Sequence, residues 1–168
     1  VYTVSPDGIK GLSINFARID DTRPGYGYKG GIDAGASELI PLSDGIFLVD
    51  LQTGASERIV EYAAITEVDF PETPKAKHWL NHLLFNPDGT RFIFLHRAGL
   101  ERDGGPRITK MHTANLNGSG LFTLANDRMV SHFIWRDPEH LLAWGRDSEL
   151  GDHFFLYRDQ TGEKEIVG

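Results

Sequence analysis

Seven histidines and no cysteine stand in this chain. Thiolate metal sites, cysteine nucleophiles and disulfides are therefore excluded, and imidazole is the first place to look for chemistry near neutral pH. Two of the histidines occupy matching positions: Asn81-His82-Leu83-Leu84-Phe85 aligns with Ser131-His132-Phe133-Ile134-Trp135. In both segments an imidazole opens a short apolar run, at what reads as the first residue of an innermost strand. Equivalent strand starts in neighbouring repeats aim two imidazoles at one volume. A neutral imidazole there can ligate a metal or take a proton. The same placement also serves a plainer purpose, tying two repeats together by hydrogen bonds.

Other motifs carry less. His78 and His82 form an H-x3-H pair, which would share a helix face and could hold zinc. The prolines upstream and the strand that follows argue against that helix. Gly25-Tyr26-Gly27-Tyr28-Lys29-Gly30 fits G-x-G-x-x-G, yet no strand feeds it and Gly31, Asp33 and Gly35 oppose a helix after it. It reads as a loop whose tyrosines, with Arg23, could line a carbohydrate cleft or simply pack on the neighbouring repeat. Asn117-Gly118-Ser119 reads as a turn before it reads as a glycosylation sequon. No nucleophilic serine elbow, Walker loop or H-E-x-x-H is present.

With 24 acidic and 17 basic residues the chain carries a net −7. That balance disfavours nucleic acid as a partner, since phosphate backbones call for a basic face. Charge is uneven, however: between Lys75 and His112 seven basic residues face three acids, leaving that segment +4 and the remainder −11. A local basic field suits a small carboxylated ligand; the alternative is a solvated face whose charges point everywhere. No apolar run approaches the ~18 residues of a membrane helix. The expectation is a soluble, cytoplasmic or periplasmic protein with no membrane partner.

The elements that would position these groups are strands. Short alternating or apolar runs occupy residues 1–4, 11–16, 45–51, 58–62, 82–85, 91–95, 110–115, 120–124, 132–135, 141–145, 153–157 and 164–167. Phe, Ile, Val, Leu and Trp crowd them, as a half-buried pleated surface prefers. The turns between them recur: Ser5-Pro6-Asp7-Gly8, Asn86-Pro87-Asp88-Gly89 and Asp137-Pro138-Glu139 each follow a first strand, and Thr53-Gly54, Ser119-Gly120 and Thr161-Gly162 precede a last one. Four strands per ~40–50 residues is the period of propeller blades. The sequence thus predicts an all-β chain of about three consecutive four-stranded blades: residues 1–62 with an inserted loop at 17–44, residues 82–127, and residues 131–168. Three blades cannot close a ring, so the expectation is a piece of a larger propeller. The alternatives are an independent three-blade array or a β-sandwich.

From about Gly45 to Trp135, the run His78-Trp79-Leu80-Asn81-His82, then Asn86-Pro87-Asp88-Gly89, Phe94-Leu95-His96, Asn117-Gly118-Ser119 and Ser131-His132-Phe133-Ile134-Trp135, resembles the oligogalacturonate lyase family in order and spacing. The resemblance implies a seven-bladed ring that splits short acidic uronate oligosaccharides by β-elimination. A divalent metal, usually Mn2+, would bind the substrate carboxylate as a Lewis acid. His82 matches the general base and His132 the first metal ligand. The family's other ligands, a Gln and two His, would lie in a later blade. One position departs from the pattern. Where the family carries a substrate-binding Arg, this chain has Ser43-Asp44-Gly45, so a carboxylate could face the anionic substrate. Either Arg23 or Arg97 replaces that cation, with His96 or Arg97 as further substrate contacts, or the substrate and the reaction differ. The competing expectation is a non-catalytic propeller that binds a glycan or protein through its face.

Overall fold

The computed structural model describes residues 1–69, 76–99 and 107–168. Lys75, Glu101, Arg102 and Asp103, which enter the basic segment counted above, lie outside the described residues. The chain forms three antiparallel four-stranded sheets, each assembled in chain order. The first holds β1 (Thr3–Val4), β2 (Lys10–Ser13), β3 (Gly45–Asp50) and β4 (Ser56–Glu61). The second holds β5 (His78–Phe85), β6 (Arg91–Ala98), β7 (Ile108–Asn115) and β8 (Phe122–Ala125). The third holds β9 (Val130–Trp135), β10 (His140–Asp147), β11 (Gly151–Arg158) and β12 (Lys164–Ile166). No sheet closes on itself, and among the described residues no helix is long and apolar enough to cross a membrane.

The turns follow from residue chemistry. Gly8 and Gly89, closing the two Pro-Asp-Gly turns, have φ of 75° and 72°, a region that glycine enters without penalty. Their N–H groups donate to the carbonyls of Ser5 and Asn86 at 2.9 and 3.0 Å. Gly118 answers to packing as well as φ: a Cβ there would collide with the Ile59 carbonyl on β4 of the preceding sheet.

The second sheet is the middle layer. All eight residues of β6 are buried, and they alternate between two cores as a strand must. Phe92 and Phe94 pack with Leu12, Ile46, Val60, Leu80 and Leu83 against the first sheet. Ile93 and Leu95 pack with Val130, Trp135, Leu141, Phe155 and Tyr157 against the third. Each such buried side chain contributes about 1.5–3 kcal/mol, so the layers are joined mainly by the hydrophobic effect. At one end of the second seam a buried ion pair adds to it. Arg91 donates through Nε to Asp159 at 2.6 Å, and Thr113 Oγ1 donates to the same carboxylate at 2.6 Å.

Two helices depart from the sequence expectation. Residues 17–44 read as a loop, yet α1 (Phe16–Thr22) forms there, and Tyr62, read as the end of a strand, opens α2 (Tyr62–Asp69). Both are too short to show a 3.6-residue period. The Asn15 side chain caps α1 by accepting from Ala17 and Arg18 N–H at 3.1 Å each. The insertion is then ordered by Arg18, buried to 1% exposure. Its guanidinium donates to the carbonyls of His78, Gly35, Glu38 and Leu39 and pairs with Asp33. One buried cation therefore pins the insertion to the first residue of β5.

Candidate functional site

His82 and His132 are not strand openers, as the sequence suggested; each lies inside the first strand of its sheet, at a β-bulge. The pairing of β5 with β6 slips between Asn81 and Leu84, and that of β9 with β10 slips where Ser131 and Phe133 flank His132. The two histidines have φ of 53° and 49°. The left-handed region costs an L-residue roughly 1–2 kcal/mol. The extra residue in each bulge is thus an imidazole held in a strained backbone, and the strain is repeated at the same place in two sheets.

Both side chains reach one cavity of about 480 Å3 lined by Tyr2, Arg23, Tyr26, His82, Leu83, Leu84, Arg97, Arg107, Ser131, His132 and Phe133. The first sheet contributes Tyr2, just before β1; its hydroxyl lies 3.3 Å from His82 Nδ1. Ser131 Oγ lies 2.8 Å from His132 Nδ1. Arg23, which follows α1, places its guanidinium 3.6 Å over the Tyr26 ring, a cation–π stack. Tyr26 thus reaches the cavity, whereas Tyr28 turns back to stack on Phe16 at 4.5 Å.

The electrostatics of the cavity are those of clustered cations. Burial lowers the His82 pKa to about 4 from 6.5, assisted by the charges of Arg97, Arg23, His132 and Arg107. Burial, then Arg107 and Arg23, brings Arg97 down to about 9. At neutral pH His82 is therefore an uncharged imidazole surrounded by guanidinium groups.

The remaining expected residues are placed as follows. Arg23 and Arg97 join the two histidines at the cavity; His96 does not. It sits fully buried on the opposite face of the second sheet, 2.9 Å from His78 Nδ1 and beside Tyr62 and His112. Burial, with His112, His78 and Lys110, holds its pKa well below 6.5. His78 lies on β5, so the H-x3-H pair is not helical and its two rings serve different surroundings. Asp44 does not face the cavity either: it is buried, accepts the Gly45 N–H at 2.7 Å and adjoins Asn15 and Arg18. Among the described residues no group of three His, Cys, Asp or Glu side chains could hold a metal ion.

No protein-family model matches the chain, and no curated protein is similar enough to it to assign a family. The likeness to oligogalacturonate lyases rests on the residues quoted above.

Six lining residues lie outside the sequence's candidates: Tyr2, Leu83, Leu84, Arg107, Ser131 and Phe133. Phe133 was legible in outline, since it follows His132 in the aligned pair. Tyr2 precedes β1 of the first sheet and Arg107 precedes β7, two strands away from β5, and only the packing brings them to the same volume.

Proposed function

We propose that the three sheets are consecutive blades of a larger propeller, and that the cavity at their innermost strands binds a short uronate oligosaccharide for cleavage by β-elimination. The observation that carries this reading is the meeting of His82, His132, Arg23 and Arg97 at one cavity. An uncharged imidazole beside guanidinium groups is what abstraction of a proton alpha to a carboxylate needs: the cations favour the enolate-like charge that develops, and the imidazole accepts the proton. In this role His82 carries its proton on Nδ1, donated to Tyr2 Oη, and Nε2 takes the C5 proton as the C4–oxygen bond breaks and the C4–C5 double bond forms.

The further blades are supported by the outer face of the third sheet. There Ile134 and Phe154 are exposed beside half-buried Leu142, Trp144 and Leu156, a stripe of the same kind that the two internal seams bury. The divalent metal, Mn2+ by the resemblance, would find one ligand here. With Nδ1 held by Ser131, exposed His132 can offer Nε2, and the other ligands would come from outside the described residues. Once bound, such an ion would acidify the proton alpha to the substrate carboxylate.

A second reading has its own observation. Tyr2 and His82 link the first sheet to the second, so the histidine also works as a structural tie in a propeller that binds a glycan or protein without turnover. Elemental analysis of full-length protein purified without chelator, beside His132→Ala and His82→Ala, separates them. The lyase reading expects a stoichiometric divalent ion lost in His132→Ala, and retained in His82→Ala with product formation abolished. Full metal content in His132→Ala removes the ligand assignment. No bound ion after Mn2+ addition, and no unsaturated product, favours the binding module.

A further inference from the structure

Among the described residues three guanidinium groups are buried around the second sheet, and two of them are fully engaged. Arg18 donates to four carbonyls and pairs with Asp33; Arg91 bonds Asp159, Asn115, Thr113 and Gly120. Arg97 is the exception. It is 2% exposed, yet its Nε and Nη1 have no hydrogen-bond partner among the described residues. It lines the cavity.

Its neighbours on the sheet share the condition. Trp79 is the direct cross-strand partner of Arg97, and Asn81 pairs with Leu95 one step along the same face; paired residues lie on one side of a sheet. Trp79 is 0% and Asn81 1% exposed. Trp79 Nε1 and both polar atoms of the Asn81 carboxamide also lack partners among the described residues. Buried polar groups are nearly always hydrogen-bonded, and exceptions call for an unseen partner. Ordered water would satisfy an indole N–H or a carboxamide. Water carries no charge, however, and cannot neutralise a buried guanidinium. Removing one partner from a buried pair is severely destabilising for that reason. The group best matched to a planar, charged row of N–H donors is a carboxylate.

We propose that Arg97, backed by Trp79 and Asn81, is the anchoring subsite for a uronate carboxylate, and that the ligand supplies a counter-charge that no described residue provides. This rests on the reading above for the sugar; the anion site stands on the Arg97 row alone. A cavity of about 480 Å3 is within the range of small-ligand sites, and the tyrosine and phenylalanine faces along it suit a pyranose ring. The subsite also implies a trade-off. Without ligand, no described residue compensates the charge of Arg97, so the site would be maintained at the expense of the fold.

Full-length protein is melted and titrated calorimetrically with galacturonate, galactose and inorganic phosphate at constant ionic strength. Galacturonate raises Tm saturably; galactose and phosphate do not. Arg97→Met weakens galacturonate binding roughly 10- to 100-fold, the loss of a charge-assisted pair, and melts above the wild type in the absence of ligand. A variant that melts higher is folded, so lost binding there is specific. Arg97→Lys, which keeps the charge without the planar fork, recovers only part of the affinity. An undiminished galacturonate shift in Arg97→Met overturns the subsite, as does Arg97→Met melting below the wild type. An equal, Arg97-dependent shift from phosphate overturns the carboxylate assignment. Unsaturated uronate formation is followed separately. Arg97-dependent binding without any product overturns the lyase reading alone, and undiminished product formation in Arg97→Met overturns the subsite alone.

Discussion

His82 should titrate far below an ordinary histidine, and the cations around it should be the adjustable part of that effect. Its pKa falls from 6.5 to about 4, with burial first and then Arg97, Arg23, His132 and Arg107 as causes. At 1.36 kcal/mol per pH unit the gap amounts to about 3 kcal/mol; solvent screening of a half-buried group reduces it to about 1–2 kcal/mol. The unfolded chain binds a proton at this residue near pH 6.5 and the folded chain only near 4. Stability from His82 is therefore complete above about 6.5, is lost on acidification through that window, and changes no further below it. Imidazole NMR signals followed from about pH 8 downward give the titration directly. In Arg97→Met the largest of the opposing charges is gone and the midpoint moves up toward 6.5. Galacturonate added to the wild type should produce the same upward movement, because a bound carboxylate offsets Arg97. The ligand would thereby make His82 a stronger base at the moment it is needed. A ligand-free midpoint at or above 6.5 would refute the reasoning, since it would mean the ring is neither desolvated nor opposed by cations.

Three further outcomes test the framework that holds the site. Asp159→Ala strands Arg91 and Thr113 within the seam between the second and third sheets and should cost about 3–5 kcal/mol in urea denaturation; Arg91→Met with Asp159→Leu should recover most of it, and a loss below about 1 kcal/mol for the single change would show that the seam does not depend on the pair. Arg18→Met should cost at least about 2 kcal/mol through unsatisfied carbonyls and speed limited proteolysis within residues 23–44, whereas an unchanged cleavage rate would show that other contacts order the insertion. His132→Gly should be more stable than His132→Ala by about 1 kcal/mol, because only glycine relieves the positive φ; equal stabilities would mean the bulge carries no strain.

The sheets were legible because their cause is local. Pro-Asp-Gly and Thr-Gly turns force the chain to reverse, and alternating apolar residues between them leave little choice of element. The expected segments 82–127 and 131–168 correspond to sheets spanning 78–125 and 130–166. The residues that went astray are governed by long-range contacts. His82 reads as a strand opener from its alignment with His132, but β5 begins four residues earlier, at His78. His96 looked like a neighbour of Arg97 in function, yet successive strand residues face opposite sides, so one turns into the first seam and the other toward the cavity. Nothing in the sequence around Arg18 distinguishes it from a solvated arginine; its burial follows from five acceptors contributed by residues 15 to 60 positions away. Asp44 was expected near an anionic ligand from its place before β3, and the same insertion draws it toward Asn15 and Arg18 instead.

The correspondence that survives this sorting is the one least explained by folding alone. A bulge needs an extra residue, and glycine or asparagine would occupy the left-handed backbone at lower cost. The chain instead uses histidine twice, at positions 82 and 132, and turns both rings to a volume that also receives Arg97. Packing explains only one of them: His82 meets the Tyr2 hydroxyl across the first two sheets, whereas exposed His132 bonds its own neighbour Ser131. The strain and the guanidinium that no described residue satisfies act in the same direction: each lowers stability at the cavity, and an entering anionic group would offset the charge of Arg97. The proposed ligand site would account for the choice at both positions; a structural tie would account for His82 alone.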